Sequence, residues 1–219
     1  MKPSILGPWA TLGATLALGC ASVERYEGPV DTLDLALCSP DREFSLESTN
    51  PYFPMDVGRR WVLEGGDERV QITVLDETEV VAGVTTRVVE EREWEDGEEK
   101  EVSRNYFAQA SDGTVCYFGE EVEPEMGEWR ADQPGSRPGI IMPADPRPGM
   151  KFQMEVDPES AADEGLIIAL GRTTKVPAGT FTDTVVLQEI DPLDDEREIK
   201  VFAAGVGFLV DEDMKLVSY

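Results

Sequence analysis

Three cysteines, 45 carboxylates and no histidine set the chemistry open to this 219-residue chain. A thiol can act as nucleophile, redox partner or metal ligand, and a carboxylate as acid, base or oxygen ligand. Without imidazole there is no Ser-His-Asp or Cys-His catalysis and no histidine metal site. Nucleophile-elbow, P-loop and dinucleotide patterns are missing, and the serine of "GSRPG" (135–139) stands in the wrong place for an elbow. A glycosidase-type carboxylate pair meets through the fold, so a carboxylate-dependent hydrolase stays open as the weakest reading. Met126, Met142, Met150 and Met154 could offer thioethers to Cu(I), but methionine serves more often as core filler. Asp191, Asp194, Asp195 and Glu196 lack the spacing and glycine of an EF-hand loop and read as an acidic turn. No catalytic residue, metal or cofactor is assigned, and a non-enzymatic protein is favoured.

The first cysteine, Cys20, closes an apolar run. Lys2 supplies a positive start, Ile5 to Leu18 is apolar, and Ala17-Leu18-Gly19 are suitably small before the cysteine. The run fits a removed signal and is short for roughly 30 Å of hydrocarbon. The segment resembles the lipobox of bacterial lipoproteins, in which the cysteine sulfur takes a diacylglyceryl group as a thioether and becomes the new N-terminus. The resemblance implies a signal peptide over 1–19 and lipidation at Cys20. It also implies a lipid-anchored protein of the cell envelope, at the outer membrane or cell surface, with the membrane as one partner. Several acyl chains, at about 0.8 kcal/mol per buried CH₂, anchor firmly without a protein span. Cys38 and Cys116 then remain as an even pair, and an oxidising envelope favours a disulfide between them.

A formal net charge of −26 repels phosphate backbones, so no nucleic-acid partner is expected. Basic partners, cations or plain solubility remain. The acidic stretch 20–48 reads as a tether, and a single β-rich domain is expected over 49–219.

The elements that must position these groups read as strands. In "ERVQITVLD", Val70, Ile72 and Val74 alternate with Gln71 and Thr73. "VTTRVVEEREW" meets "EVSRNYFAQ" across Asp96-Gly97, a type I′ hairpin signal, and Asp112-Gly113 leads into "TVCYFGE". Residues 85–120 thus predict a three-stranded meander, with acid-rich Glu90 to Glu101 as a solvated tip. Further strands follow at 166–176, 182–190, 198–203, 206–210 and 215–218. "PESAADEG" (158–165) predicts one or two helical turns, and Gln133 to Gly149 a Pro/Gly-rich connection. The fold class is all-β: an antiparallel sandwich or curved, partly closed barrel-like sheet of about ten strands, with at most one short helix.

Taken together, "NPYFPMDVGRRW", "NYFAQASDGTVCYFGE", "RPGIIMPADPRPG", "VPAGTF" and "KVFAAGVGFL" resemble a group of uncharacterised bacterial secreted proteins and lipoproteins. The resemblance implies an exported globular domain and no particular activity. That group carries Trp at the position of Cys116, so the disulfide would be particular to this chain. The candidate ligand-binding set is Tyr106, Gln109, Tyr117 and Glu120 on adjacent strands, under a lid carrying Ile141 and Met142. These residues predict a pocket for a small apolar ligand or a protein partner. A structural or interaction module without a ligand site is the alternative.

Overall fold

In the computed structural model the residues described are 26–123, 128–157, 162–192 and 196–219, with Glu128 described by its backbone alone. The N-terminal strands are β1 (Asp31–Thr32), β2 (Phe44–Ser45) and β3 (Arg60–Gly65). Four long strands follow: β4 (Glu68–Val81), β5 (Val84–Glu95), β6 (Glu98–Ala110) and β7 (Val115–Glu123). Short ones come next: β8 (Glu128–Arg130), β9 (Gly139–Met142) and β10 (Met150–Gln153). The C-terminal third holds β11 (Glu164–Leu170), β12 (Thr174–Val176), β13 (Gly179–Phe181) and β14 (Thr184–Asp191). It ends with β15 (Glu196–Ala203), β16 (Gly207–Asp211) and β17 (Met214–Ser218). Among the described residues the only helical element is a 3₁₀ turn, Leu35–Cys38, capped by the Asp34 side chain.

All but the β12–β13 hairpin belong to one sheet, ordered β1-β10-β11-β14-β15-β16-β17-β3-β4-β5-β6-β7-β8, with β2 on β6 and β9 on β7. Every pairing is antiparallel except β1 with β10. The ends of the path approach each other. Arg137 N–H donates to Val156 O at 2.9 Å, and Gly139 sits so close to the Met154 carbonyl that a Cβ would fall 2.0 Å from it. The sheet is therefore curved and barrel-like, as the alternating pattern implies, and its edges are largely covered.

The meander is where the sequence places it. Asp96 and Gly97 take φ of 53° and 79°, the conformation a type I′ turn needs. The β4–β5 turn uses Ala82 and Gly83 in the same region, at φ 52° and 81°. An Ala-Gly pair carries no turn signal of its own, so this hairpin is invisible in the sequence.

Three expectations change. The stretch expected as a tether over 20–48 is part of the body from Asp31 onward. There β1 lines up beside β10, β2 beside β6, and Cys38 is fully buried. The lid expected within Gln133 to Gly149 is instead a strand, β9, paired on β7 with Ile140 and Met142 at zero exposure. The helix expected over 158–165 does not reach its described end, because Glu164 and Gly165 already begin β11, while 158–161 lie outside the described residues. The strand count exceeds ten because several pieces of two to four residues join the sheet.

Antiparallel alternation sorts the turns onto two rims. Turns at 111–113, 171–173 and 204–206 share one rim, and those at 66–67, 96–97 and 212–213 share the other. Near the first rim the interior is aromatic. Phe53 contacts Phe107, Phe202 and Phe208, with centroids at 5.1, 6.5 and 5.7 Å, and Trp61 meets Phe208 at 5.4 Å. Trp61 Nε1–H is satisfied by Val206 O at 2.6 Å. On the outer side of β7, a disulfide joins Cys38 to Cys116, with Cα atoms 5.6 Å apart across a sequence separation of 78.

Candidate functional site: an acidic interior

Toward the second rim the inward positions change chemistry. On β14 they run Val185, Leu187, Glu189, and on β15 Phe202, Lys200, Glu198. On β5 they run Val89, Glu91, Glu93, opposite Val74, Ile72 and Val70 of β4. On β6 they run Phe107, Asn105, Ser103, Glu101. Side chains on a strand alternate between faces, so a carboxylate in phase with an apolar series must point inward. The acidic hairpin tip is thus only partly solvated: Glu91 and Glu93 are half-buried and face the interior.

Lys200 is the cation of this region. Its Nζ lies 2.8 Å from Asp211 Oδ1 and 3.6 Å from Glu189 Oε2, with side chains 4%, 7% and 4% exposed. Burial favours the neutral amine, but Asp211, Glu189 and Glu198 outweigh it and hold the pKa well above the ordinary lysine value. Burial drives the neighbouring carboxyls upward. Glu189 is pushed up to about 8, Glu198 to about 9, Glu93 to about 7 and Asp163 to about 6. For Glu189, Lys200 opposes that rise; for Glu93 the next cause is Glu101, and for Asp163 it is Asp191. Glu155 rises by burial and then by Asp163 and Glu189.

A second polar knot lies on β6, β7 and β8. Tyr117 Oη is 2.9 Å from Glu120 Oε2 and also touches Asn105 Oδ1, whose Nδ2 donates to Ser103 Oγ at 3.1 Å. One phenolic proton cannot serve two acceptor oxygens, and a proton on Glu120 resolves the excess. Burial, followed by the Glu155 charge, pushes Glu120 well above its usual range, in agreement. Glu120 Oε1, Glu189 Oε2 and the Trp129 Nε1–H have no hydrogen-bond partner, and each residue is at most 3% exposed. A buried oxygen with no partner, as Glu120 Oε1 is, costs roughly 1–3 kcal/mol.

The six residues expected to line an apolar pocket do not converge. Tyr117 points inward, stacked on Phe107 at 4.7 Å and edge-on to Trp129 at 5.1 Å. Tyr106 is on the opposite face, bonded to Glu121 beneath the Arg130 guanidinium, 5.5 Å from its ring. Gln109 Oε1 is occupied by the Thr49 and Asn50 N–H groups at 2.6 and 3.0 Å, which pins the segment before β3. Met142 is core, Ile141 is half-buried, and only Tyr117 and Glu120 belong to the acidic interior. Cys20, the expected lipidation site, lies outside the described residues, as do Met126, Asp194 and Asp195; Met154 is core.

Reasoning from sequence missed Lys200, Glu189, Asp211, Glu155 and Asp163. The available signal was parity: Glu198 and Lys200 are in phase with Phe202, and Glu189 with Leu187. Among the described residues no group of three or more Cys, Asp or Glu is arranged to hold a metal ion. A separate open recess of about 450 Å³ lies outside, between Glu64, Glu68, Arg69 and Trp94, where the Arg69 guanidinium stacks 4.5 Å from the Trp94 ring. Comparison of the chain with family models, curated proteins and solved structures finds no match.

Proposed function

We propose that the protein is an exported, non-enzymatic lipoprotein of the cell envelope, acylated on Cys20, whose β domain binds a cationic ligand or partner through its acidic interior. The observation that carries the binding reading is the set of inward carboxylates around Lys200, with Glu120 Oε1 buried and without a partner and Glu189 Oε2 held only by the long ion pair to Lys200. The aromatic packing of the other end supports a cationic over an apolar ligand, since rings already fill that interior. A bonded Cys38–Cys116 pair is consistent with an oxidising compartment.

The hydrolase alternative is less well supported. Carboxylate-pair hydrolysis needs one ionised and one protonated group, and burial pushes Glu120, Glu155 and Glu189 in the same direction. Calorimetric titration of the purified protein with spermidine tests the binding site. Binding that weakens with salt and is lost in Glu91→Gln/Glu93→Gln is expected. Absence of any heat at millimolar spermidine removes the cationic reading. Mass analysis of the N-terminal peptide tests the anchor, with a diacylglyceryl thioether in the natural chain and none in Cys20→Ser.

A further inference from the structure

Lys200 and Asp211 stand directly opposite each other on β15 and β16, and their charged ends meet at 2.8 Å away from water. Glu189, on the strand flanking β15 from the other side, brings Oε2 to 3.6 Å of the same Nζ. That oxygen has no hydrogen-bond partner. An amine, a carboxyl carbon and a second carboxyl are therefore held together in a dry site. Fixed contact of this kind is worth effective concentrations of roughly 10⁵–10⁸ M over the free groups. As a plain ion pair the arrangement is a poor stabiliser, because removing both charges from water offsets most of their attraction.

We propose that Lys200 and Asp211 condense to an intramolecular isopeptide bond, with Glu189 as the proton carrier. Glu189 takes a proton from the Lys200 ammonium and leaves a neutral amine. The Nζ lone pair adds to Asp211 Cγ, and a C–N bond forms. Glu189 returns its proton to the departing oxygen, a second proton leaves the nitrogen for that oxygen, and a C–O bond breaks. In sum –NH₃⁺ and –COO⁻ become –NH–CO– and one water. Both water protons come from the ammonium, Glu189 ends as it began, and no oxidant or reductant is needed. The surrounding carboxylates, Glu189, Glu198 and Asp211 on neighbouring strands with Glu91 and Glu93 of β5 across the interior, favour the ammonium. The bond therefore forms slowly at neutral pH and faster as pH rises.

Tryptic peptide mapping of the purified protein, before and after a day at pH 9, decides the matter. An unlinked chain is cut after Arg197, Lys200 and Lys215. A linked chain keeps 198–215 as one uncut peptide, about 18 Da light by the loss of one water. That peptide is expected in the natural protein, disappears in Asp211→Ala and Lys200→Arg, and falls at least tenfold in Glu189→Gln. The readout needs no native fold, so a misfolded variant does not blur the result for the natural chain. Cleavage at Lys200 with full peptide mass under both conditions overturns the proposal. A loss of one water with Lys200 still cleaved reports a cyclised aspartate and overturns it equally. Full linkage in Glu189→Gln overturns the role given to Glu189.

Discussion

The two ends of this barrel are built on the same strands yet held by different physics. Along β14 the inward series passes from Val185 to Glu189, and along β15 from Phe202 to Glu198, so the boundary between carbon and charge runs across the strands. At the aromatic end, Phe208 packs edge to face on Phe53 and Trp61, Phe202 lies tilted against Phe53 and Phe208, and burying Phe53, Trp61 and Phe202 is worth about 1.5–3 kcal/mol apiece. At the acidic end, Lys200, Glu189 and Asp211 are as deeply buried, but desolvation works against them. Depth alone therefore does not identify what stabilises the fold. One end supplies cohesion, and the other spends part of it on buried charge.

Substitutions at each end sharpen the contrast. The largest effect is expected from Trp61→Ala, about 3–5 kcal/mol by cavity formation and loss of the bond to Val206 O, measured by denaturant unfolding and independent of pH. Lys200→Met comes next. Relative to the unlinked chain it strands Glu189 and Asp211, costing about 3 kcal/mol at pH 8 and clearly less at pH 5, where Glu189, raised to about 8, takes a proton. Equal cost at both pH values would break the electrostatic account. Replacing both Cys38 and Cys116 by alanine should cost about 2–4 kcal/mol, because the link spans a long loop.

A smaller, graded effect is expected from pH itself. Glu93, Asp163, Glu189 and Glu198 have folded pKa values raised to about 7, 6, 8 and 9. The native state thus binds more protons than the unfolded chain. Their contribution to stability is whole below the ordinary carboxylate range and is lost as pH climbs through about 6 to 9. The melting temperature should fall steadily from pH 5 to pH 9, and Glu189→Gln should flatten that fall. A melting temperature that rises over the same interval would contradict the burial of these groups. The smallest change is expected at exposed Val80, where Val80→Thr should stay within about 0.5 kcal/mol at every pH.

Much of the architecture was legible along the chain. The Val70, Ile72, Val74 alternation and the Asp96-Gly97 turn mark β4, β5 and β6, because side-chain parity and positive φ are local requirements. The β9 strand and the body-bound 31–45 segment were not legible. Short pairings such as Cys116 with Ile140, or Phe44 with Ala110, are decided by what the sheet edge leaves open. The site was hardest to see. A run such as "EEREWEDGEEK" looks solvated by composition, and only its phase against Val89 shows that Glu91 and Glu93 turn inward.

The sequence by itself determined that catalysis by histidine is impossible, that the body is built of alternating strands, and that Cys38 and Cys116 are the pair left once Cys20 is set aside. These follow from residue types and from spacing within a few residues. Only the tertiary structure decided that the aromatics near Tyr106 and Tyr117 face opposite ways, and that Lys200 meets Asp211 and Glu189 in a dry interior. The reason is the sheet's closure: curving β14 to β16 toward β5 to β7 gives inward positions distant in sequence one shared interior, and no local pattern encodes that meeting.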